Sequence, residues 1–304
     1  MATRRHAIES DAEAIGRLIT EHEKLFDEEA GITSTEMAAQ LIRGLIDPTE
    51  SFVWERDDGT LTAFVGMNPD SIKKTLYTDV YSKGEVLDEA VDYAVDVLNR
   101  DFADWKALPG VNTKDTNLIA AWARHGFTPV RTYWQMRAPL ANRPFPAVPE
   151  GYRLTTIDVN SESELRRWHA LHLDAFSEHF GFVPRPFDGW KKLVIEIVGL
   201  DLAGNFLLLD ENDNAVGYVE CSDELVEDNY GFVNHLGVAK SHRSRGLGEF
   251  LLRHACAYSA TKGYELLELS VDTGNETGAL ALYEKVGFVA GSSWQQVGRD
   301  GATS

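Results

Sequence analysis

The stretch from Gly231 to Leu252 limits the possible folds of this 304-residue chain more than any other part of it. Phe232 to Val238 combines aromatic and β-branched residues without proline, which predicts a buried strand. A polar, basic turn follows at Ala239 to Arg245. From Gly246 onward, apolar residues recur at helical spacing. The residues on that helical face are Leu247, Phe250, Leu251, His254 and Ala255.

A strand, a basic glycine loop and a helix in this order can present backbone N–H groups to a phosphate. The first N–H groups of a helix have no acceptor within the helix, and the helix dipole favours an anion there. Gly246 and Gly248 carry no Cβ atom that would keep a pyrophosphate from the backbone. The formal net charge of the chain is −19, yet Lys240, His242 and Arg243 stand close together in this turn. The loop is therefore predicted to bind a small anionic ligand.

The spacing of the loop excludes two common phosphate-binding motifs. A Walker loop needs Gly-Lys-Ser/Thr at the start of the helix, where this chain has Gly-Glu-Phe from Gly248. A dinucleotide fingerprint needs a third glycine three residues after the second, at the position of Leu251. The pattern that remains is Arg243-x-x-Gly246-x-Gly248. Taken alone, it is equally consistent with an ordinary basic turn between a strand and a helix.

A second motif lies downstream. Asn275 precedes a short helical stretch that contains Leu-Tyr-Glu-Lys at 282–285, and Gly287-Phe288 then leads into a strand. The two motifs together, in this order, resemble the coenzyme A signature of the GNAT N-acetyltransferase superfamily. In that family the amides of the loop hold the pyrophosphate of the cofactor. The resemblance implies an acyltransferase that uses acetyl-CoA as co-substrate, without a metal.

The first half of the chain repeats the element order of the second half. Asn117 followed by Gly126-Phe127 parallels Asn275 followed by Gly287-Phe288. The first copy lacks the phosphate loop, because residues 80–85 contain a single glycine and end on an acidic residue. This tandem layout resembles that of the mycothiol synthases. We expect the first copy to be degenerate and to shape the substrate cleft.

Hydrophobic periodicity and turn signals predict the elements of both halves. In the first half the strands are residues 6–9, 51–54, 61–66, 76–81 and 127–136, and the helices are 11–26, 34–45, 86–98 and 117–125. In the second half the strands are 152–157, 206–209, 215–220, 232–238 and 265–271, and the helices are 161–176, 190–197, one from 246 and one around 283. The fold class is α/β, with mixed sheets in two tandem GNAT-like domains. Their bounds are residues 1–140 and 151–304, joined by a proline-rich linker at 141–150.

The resemblance also implies roles for particular residues. The backbone at Leu236, Gly237 and Val238 is expected to bond the pantetheine arm of coenzyme A. The residues expected at the pyrophosphate are Arg243, Ser244, Arg245, Gly246, Leu247, Gly248 and Glu249, with charge added by the two arginines. The residues expected near the thiol are Asn275, Gly278, Ala279 and Leu280. Tyr283 matches the tyrosine that protonates the departing thiolate, which suits a phenol with a pKa near 10.

The group that takes the proton from the amine is less well defined. The family often places it on the central strand, on the face that simple alternation assigns to Phe232, Asn234 and Leu236. The mycothiol synthases have a glutamate at the position of Phe232. Asn234 is a candidate to hold a water there, and Glu220 on the preceding strand is a candidate carboxylate or simply a solvated strand residue. Alternation directs His235 to the other face as a packing residue.

Composition limits the surroundings of this reaction. No apolar run is long enough to cross a bilayer, and no signal peptide is visible. Cys221 and Cys256 form neither a disulfide framework nor a metal pattern, and the acidic charge argues against nucleic acid. We expect a cytoplasmic monomer whose tandem domains act as a pseudo-dimer. Residues 179–187 are rich in aromatic side chains and proline, and either line an acceptor pocket or cover the core.

The predicted reaction is direct acetyl transfer, in a ternary complex, to the amine of a small molecule. One alternative is a peptide or protein N-acetyltransferase. Another is a catalytically silent acyl-CoA-binding or regulatory module, which Phe232 at the base position favours. Tyr283 and the complete glycine loop favour an enzyme instead. No motif in the chain identifies the acceptor amine.

Overall fold

A computed structural model describes residues 2–28, 30–196, 200–274 and 278–299. The described chain divides into two compact units. The first comprises the residues up to Trp134, together with Asp272–Gly274 and the C-terminal strand from Gly291 onward. The second comprises Gln135–Val271 and the segment that ends at Ala290. The predicted domain bounds, residues 1–140 and 151–304, stay a prediction about folding domains.

The first unit is a mixed sheet with helices on both faces. Its elements are β1 (Ala2–His6), α1 (Ala12–Glu23), α2 (Thr35–Arg43), β2 (Phe52–Arg56), β3 (Leu61–Asp70), β4 (Thr75–Ser82), α3 (Leu87–Asp101), β5 (Lys106–Asn112), α4 (Thr116–Ala123), the start of β6 (Thr128–Pro139) and most of β12 (Val289–Gly298). Strands β1 to β4 pair antiparallel in order, β5 pairs parallel with β4, and β12 pairs antiparallel with β5.

Two apolar clusters hold this unit together, one on each face of the sheet. One face carries Trp54, Leu76 and Trp122, which pack with the buried face of α3. The other face carries Val53 and Phe64, which pack with α1 and α2. Alternation along each strand divides the side chains between the two faces.

The second unit has the same order of elements. They are β7 (Tyr152–Thr156), α5 (Glu162–Phe176), α6 (Phe187–Glu196), β8 (Leu200–Asp210), β9 (Ala215–Ser222), β10 (Tyr230–Val238), α7 (Leu247–Thr261), β11 (Leu266–Asp272) and α8 (Ala279–Val286). Strands β7 to β10 pair antiparallel in order, and β11 pairs parallel with β10. The repeat of one fold that the sequence predicts is therefore present.

The core of the second unit lies between the sheet and helices α5 and α6. Trp168 and Leu171 of α5 pack with Trp190 of α6 and with Tyr218 of β9. Helix α7 packs against β9 and β10. The side chain of Ser161 caps α5 by accepting a hydrogen bond from the N–H of Glu164 at 3.4 Å. These contacts fix the ends of β10 and α5, where the candidate site lies.

Most predicted elements are present, with different ends, but one strand was missed. β5 was missed because Pro109 and Gly110, at its centre, are poor strand formers. β12 begins at Val289, directly after Gly287-Phe288, where the second motif predicts a strand, although the length of that strand was not predicted. The predicted first strand at 6–9 is wrong, since β1 ends at His6. The predicted end of α6 at residue 197 lies outside the described residues.

Candidate functional site

The glycine loop turns a row of backbone amides outward. Ser244 and Gly246 both adopt left-handed backbone conformations, with φ of 62° and 78°. A Cβ atom on Gly246 would meet nothing within 4 Å, so the glycine is required by its backbone angle and not by lack of space. Among the described residues, the N–H groups of residues 244–249 have no hydrogen-bond partner. Such a row of amides at a helix start is a ready site for an anion.

The start of α8 supplies a second set of free amides. Gly278 has φ of 79° and caps this helix, and the N–H of Leu282 donates to its carbonyl at 3.2 Å. The N–H groups of residues 279–281 lack a partner within the part of the chain that the structure describes. Asn275, which was predicted to lie beside the cofactor, falls outside the described residues.

Both helix starts open into one cleft of about 460 Å³ in the second unit. Its lining includes most of the residues that were predicted to bind the cofactor. They are Leu236, Gly237, Val238, Arg243, Ser244, Gly246, Leu247, Gly248, Glu249, Gly278, Ala279 and Tyr283. Two further predicted contacts, Arg245 and Leu280, are not part of this lining. The cleft also has a wall from the end of α5, formed by Ala175 and His179.

The end of β10 leaves one side of its backbone open towards the cleft. Its parallel pairing with β11 runs from Tyr230 to Val233. Its antiparallel pairing with β9 continues as far as Val238. Between Val233 and Val238, β10 therefore has a neighbour on one side only. The free edge at residues 236–238 offers backbone groups to an extended amide-containing ligand.

The basic side chains of the loop are less free than the sequence predicts. The guanidinium of Arg243 donates to the carboxylate of Glu178 at 2.8 Å and to the carbonyl of Ala175 at 2.9 Å. Lys240 forms an ion pair with the same carboxylate at 3.3 Å. Arg245 donates to the carbonyl of Ser241 at 3.1 Å. Arg243 therefore ties the loop to the end of α5 and is only partly available as a charge for a phosphate.

Tyr283 lies in the second turn of α8 with its side chain half-buried at the cleft. Its ring packs beside that of Phe288, with centroids 6.1 Å apart. Its hydroxyl has no hydrogen-bond partner among the described residues. Burial raises the pKa of Tyr283 to about 12, so the phenol keeps its proton at neutral pH. The group is therefore suited to donate a proton inside the cleft.

A bulge in β10 overturns the predicted orientation of His235. The register with β9 shifts between Val233 and His235, which places His235 opposite Glu220. The Nδ1 atom of His235 lies 2.9 Å from Oε2 of Glu220. The amide of Asn234 donates to Oε1 of Glu220 at 3.3 Å. Simple alternation is therefore wrong here, because two successive side chains of β10 reach the same carboxylate.

Glu220 is a buried anchor for these two side chains and not a solvated strand residue. It is only 2% exposed. Each of its two oxygens accepts a hydrogen bond, one from Asn234 and one from His235. A buried carboxylate needs such partners to offset its lost hydration. The carboxylate thus fixes both side chains at the beginning of the open edge.

Sequence reasoning missed the role of α5 in this region. The hydroxyl of Tyr218 forms a hydrogen bond with Nδ1 of His172 at 2.7 Å. Burial, and then the neighbouring histidines, lower the pKa of His172 to about 3, so this imidazole is neutral. The ring of Phe182, from the predicted acceptor loop, lies 6.2 Å from that of His172. The only signal in the sequence was the density of aromatic residues and histidines between 168 and 190.

Comparison with known families places these residues in context. Residues 165–288 match the acetyltransferase (GNAT) family. This stretch contains the glycine loop, the bulged strand and Tyr283. The second unit therefore contains a stretch that is similar to a GNAT acetyltransferase domain, in agreement with the resemblance of the two sequence motifs.

A curated relative and two solved structures extend the comparison. The chain is 30% identical over 177 residues to a mycothiol acetyltransferase of Salinispora arenicola, a match that covers 55% of each protein. The chain thus spans about half the length of that relative. A GCN5-related N-acetyltransferase from Sphaerobacter thermophilus superposes with a TM-score of 0.79 at 21% identity, over 98% of this chain and 95% of its own. A tandem GNAT protein from the clavulanic acid biosynthesis pathway gives 0.73 at 15% identity, over 98% of both. These structures show that the tandem GNAT fold predicted from the sequence is correct.

Proposed function

Because residues 165–288 match the GNAT acetyltransferase family, we propose that the chain transfers the acetyl group of acetyl-CoA to the amine of a small molecule. Acetyl-CoA and the amine bind together, and the acetyl group passes directly between them. The open cleft of the second unit is the site of transfer. The similarity to a mycothiol acetyltransferase supports a small acceptor with an amino group.

The observation that carries this proposal is the set of unpaired polar groups around one cleft. The amides of residues 244–249 suit a pyrophosphate, since each offers an N–H to an anion. The free edge of β10 suits the amides of a pantetheine arm, because it offers matching backbone donors and acceptors. Tyr283 completes the row at the thiol end. Water or a cap satisfies the amides of an ordinary helix start, whereas here two helix starts and a strand edge face one cleft.

The chemistry of acetyl transfer explains the position of Tyr283. The amine nitrogen attacks the thioester carbonyl, a C–N bond forms and the C–S bond breaks. The thiolate that departs is a strong base in a cleft with little water, and the phenol of Tyr283 donates a proton to it. The amine must lose a proton to react, and the cluster of Asn234 and Glu220 marks where that proton leaves. The acidic net charge of −19 is compatible with a cationic acceptor.

The proposal is tested by turnover of acetyl-CoA against a panel of amines. The panel holds aminoglycosides, polyamines, amino sugars and short peptides, and the release of free thiol is followed. Turnover with one class of small amine is the expected result, and it identifies the acceptor. Turnover with peptides alone would instead favour a peptide N-acetyltransferase. Tight binding of acetyl-CoA without turnover of any amine would favour a silent acyl-CoA-binding module.

A further inference from the structure

Next to the cleft, the bulge in β10 brings His235 and Glu220 into contact. The proposed reaction still needs a group that takes the proton from the amine. We propose that His235 is the general base of this acetyl transfer and that Glu220 positions it. The inference rests on the proposed function, since it names the atom that takes the proton. That atom is Nε2 of His235, which takes a proton from the ammonium group of the acceptor.

The hydrogen bond to Glu220 determines which nitrogen of His235 is free. Oε2 of Glu220 accepts from Nδ1 at 2.9 Å, so the neutral ring carries its proton on Nδ1. The lone pair then lies on Nε2. Within the described parts of the chain, Nε2 has no hydrogen-bond partner. This is the arrangement by which a buried carboxylate orients a histidine base.

The accessibility of the two residues suits these two roles. The side chain of His235 is 39% exposed, whereas that of Glu220 is 3% exposed. His235 does not line the cleft itself, but its ring packs on that of Phe176, which follows the lining residue Ala175 on α5. An acceptor can therefore reach the imidazole but not the carboxylate. Glu220 acts on the reaction only through His235.

Aromatic rings surround the imidazole on the side of α5. The centroid of the His235 ring lies 5.4 Å from that of His172 and 5.5 Å from that of Phe176. His172 stays neutral because burial lowers its pKa, and the pKa of Tyr218 beyond it is raised far above the usual range by burial. His179 follows beyond Phe176. The α5 side therefore offers rings that can hold an alkylammonium group by cation–π contact.

The charged partner of His235 is Glu220 on β9, and two further carboxyl groups interact electrostatically with each other near this strand. Burial alone lowers the pKa of His235, but the charge and hydrogen bond of Glu220 together raise it above its ordinary value. Glu224 follows β9, and burial raises its pKa to about 7. Glu268 on β11 forms a buried ion pair with Arg137 at 2.5 Å. Because Glu224 interacts with Glu220 and its pKa is raised towards neutral pH, the test must separate its titration from that of His235.

The proton balance of the step is complete with these groups. The ammonium gives one proton to Nε2 of His235, and the neutral amine attacks the thioester. When the C–S bond breaks, Tyr283 gives its proton to the thiolate. The second proton of the attacking nitrogen then passes to the phenolate of Tyr283 and restores the phenol. His235 then passes its proton to solvent. The net products are the amide, free coenzyme A and one released proton.

The test is the pH dependence of kcat/KM for the wild type and three variants. His235→Gln keeps a donor for Glu220 but has no base, and Glu220→Gln removes the charge that raises the pKa of His235. Glu224→Gln is the matched control, because it removes the competing carboxyl group. Acetyl-CoA affinity is measured in parallel and should stay unchanged in all three. Unchanged affinity shows that each variant is folded.

In the wild type we expect kcat/KM to rise with pH through the pKa of His235, since only the neutral imidazole accepts a proton. His235→Gln should lose this rise and fall in activity by about 10²–10⁴-fold. Glu220→Gln should move the rise to lower pH, and Glu224→Gln should leave it in place. If the rise persists in His235→Gln or disappears in Glu224→Gln, His235 is not the general base. Either result would leave the proposed acetyl transfer itself intact. A wild type without turnover of any amine would overturn the proposed function as well.

Discussion

Gly246 has a backbone conformation in the phosphate loop that favours glycine over every residue with a Cβ atom. Its φ of 78° lies in the left-handed region, which a residue with a Cβ atom adopts at a cost of about 1 kcal/mol or more. We expect Gly246→Ala to weaken acetyl-CoA binding about five-fold or more, because the strain is relieved by turning the amides of the loop away. Isothermal titration calorimetry measures the change.

Gly84 in the first unit provides the control for this prediction. It also has a left-handed backbone, with φ of 97°, and open space around its Cβ position. Gly84→Ala should therefore have a similar effect on stability but none on acetyl-CoA binding. If both variants bind acetyl-CoA as the wild type does, the loop amides do not hold the ligand.

For single residues, sequence was sufficient for local features and insufficient for long-range ones. The loop around Gly246 and the position of Tyr283 depend on short stretches of chain, so their motifs were readable. The orientation of His235 was not, because it depends on the bulge and on a carboxylate 15 residues earlier in the chain. A single inserted position in a strand reverses the face on which all later side chains of that strand are expected.

Among the secondary-structure elements, the contact between β10 and α5 depends on Gly237. A Cβ atom there would lie 2.5 Å from the ring of Tyr218 and 3.2 Å from Cβ of Ala175. Gly237→Ala should lower the free energy of unfolding by about 1–3 kcal/mol, because the packed helix must move away from the strand. Chemical denaturation measures the loss.

Gly189 on α6 is the matched control for Gly237. No heavy atom lies within 4 Å of its Cβ position, and its backbone is helical. Gly189→Ala should therefore be neutral or stabilise the protein by up to about 1 kcal/mol. Equal stability of the two variants would mean that α5 does not pack on β10 as described.

The elements that sequence predicted best are those with a strong apolar period. Helix α5 was predicted to begin at Ser161 and to end at Phe176, and it runs from Glu162 to Phe176 with Ser161 as its cap. Strand β5 was missed because its stability comes from pairing with β4 and β12, as between Asn112 and Trp294, and not from local propensity.

Across the molecule as a whole, the two repeats differ in the amides they can offer. In the first unit the N–H of Lys83 donates to the carbonyl of Thr62 at 2.9 Å, and that of Gly84 donates to the hydroxyl of Ser82 at 3.1 Å. Lys83 also forms an ion pair with Glu21 at 2.8 Å. Beside the corresponding cleft, of about 410 Å³, internal hydrogen bonds thus interrupt the row of amides, whereas the amides of residues 244–249 make none to the described residues.

From this difference we expect each chain to bind a single acetyl-CoA. Calorimetry or equilibrium dialysis with the full chain gives the stoichiometry. The Gly246→Ala variant should show weaker binding of this single equivalent, because its substitution lies in the expected site. A second equivalent of acetyl-CoA that remains bound in this variant would contradict the assignment of the first repeat as degenerate.

The features of the whole molecule differ in how far sequence could predict them. The duplication was readable, because the order of elements and the Gly-Phe endings at 126 and 287 recur. The assignment of the C-terminal strand to the first unit was not, since it depends on pairing across 180 residues, as between Thr113 and Ser293. The acceptor has no motif at all, because the rings and charges that would select it come from several elements.

The described residues include no helix long and apolar enough to span a membrane.

Acetyl-CoA turnover by Tyr283→Phe beside the wild type is the sharpest test of acetyl transfer in this cleft. The substitution removes only the hydroxyl, so acetyl-CoA should bind with unchanged affinity. The rate of thiol release at saturating amine should fall by about 10²–10⁴-fold, the usual contribution of a general acid. Since burial raises the pKa of Tyr283 to about 12, the wild type should show no loss of this acid between about pH 7 and 10. A Tyr283→Phe variant with the full wild-type rate would contradict the role of Tyr283 as the acid.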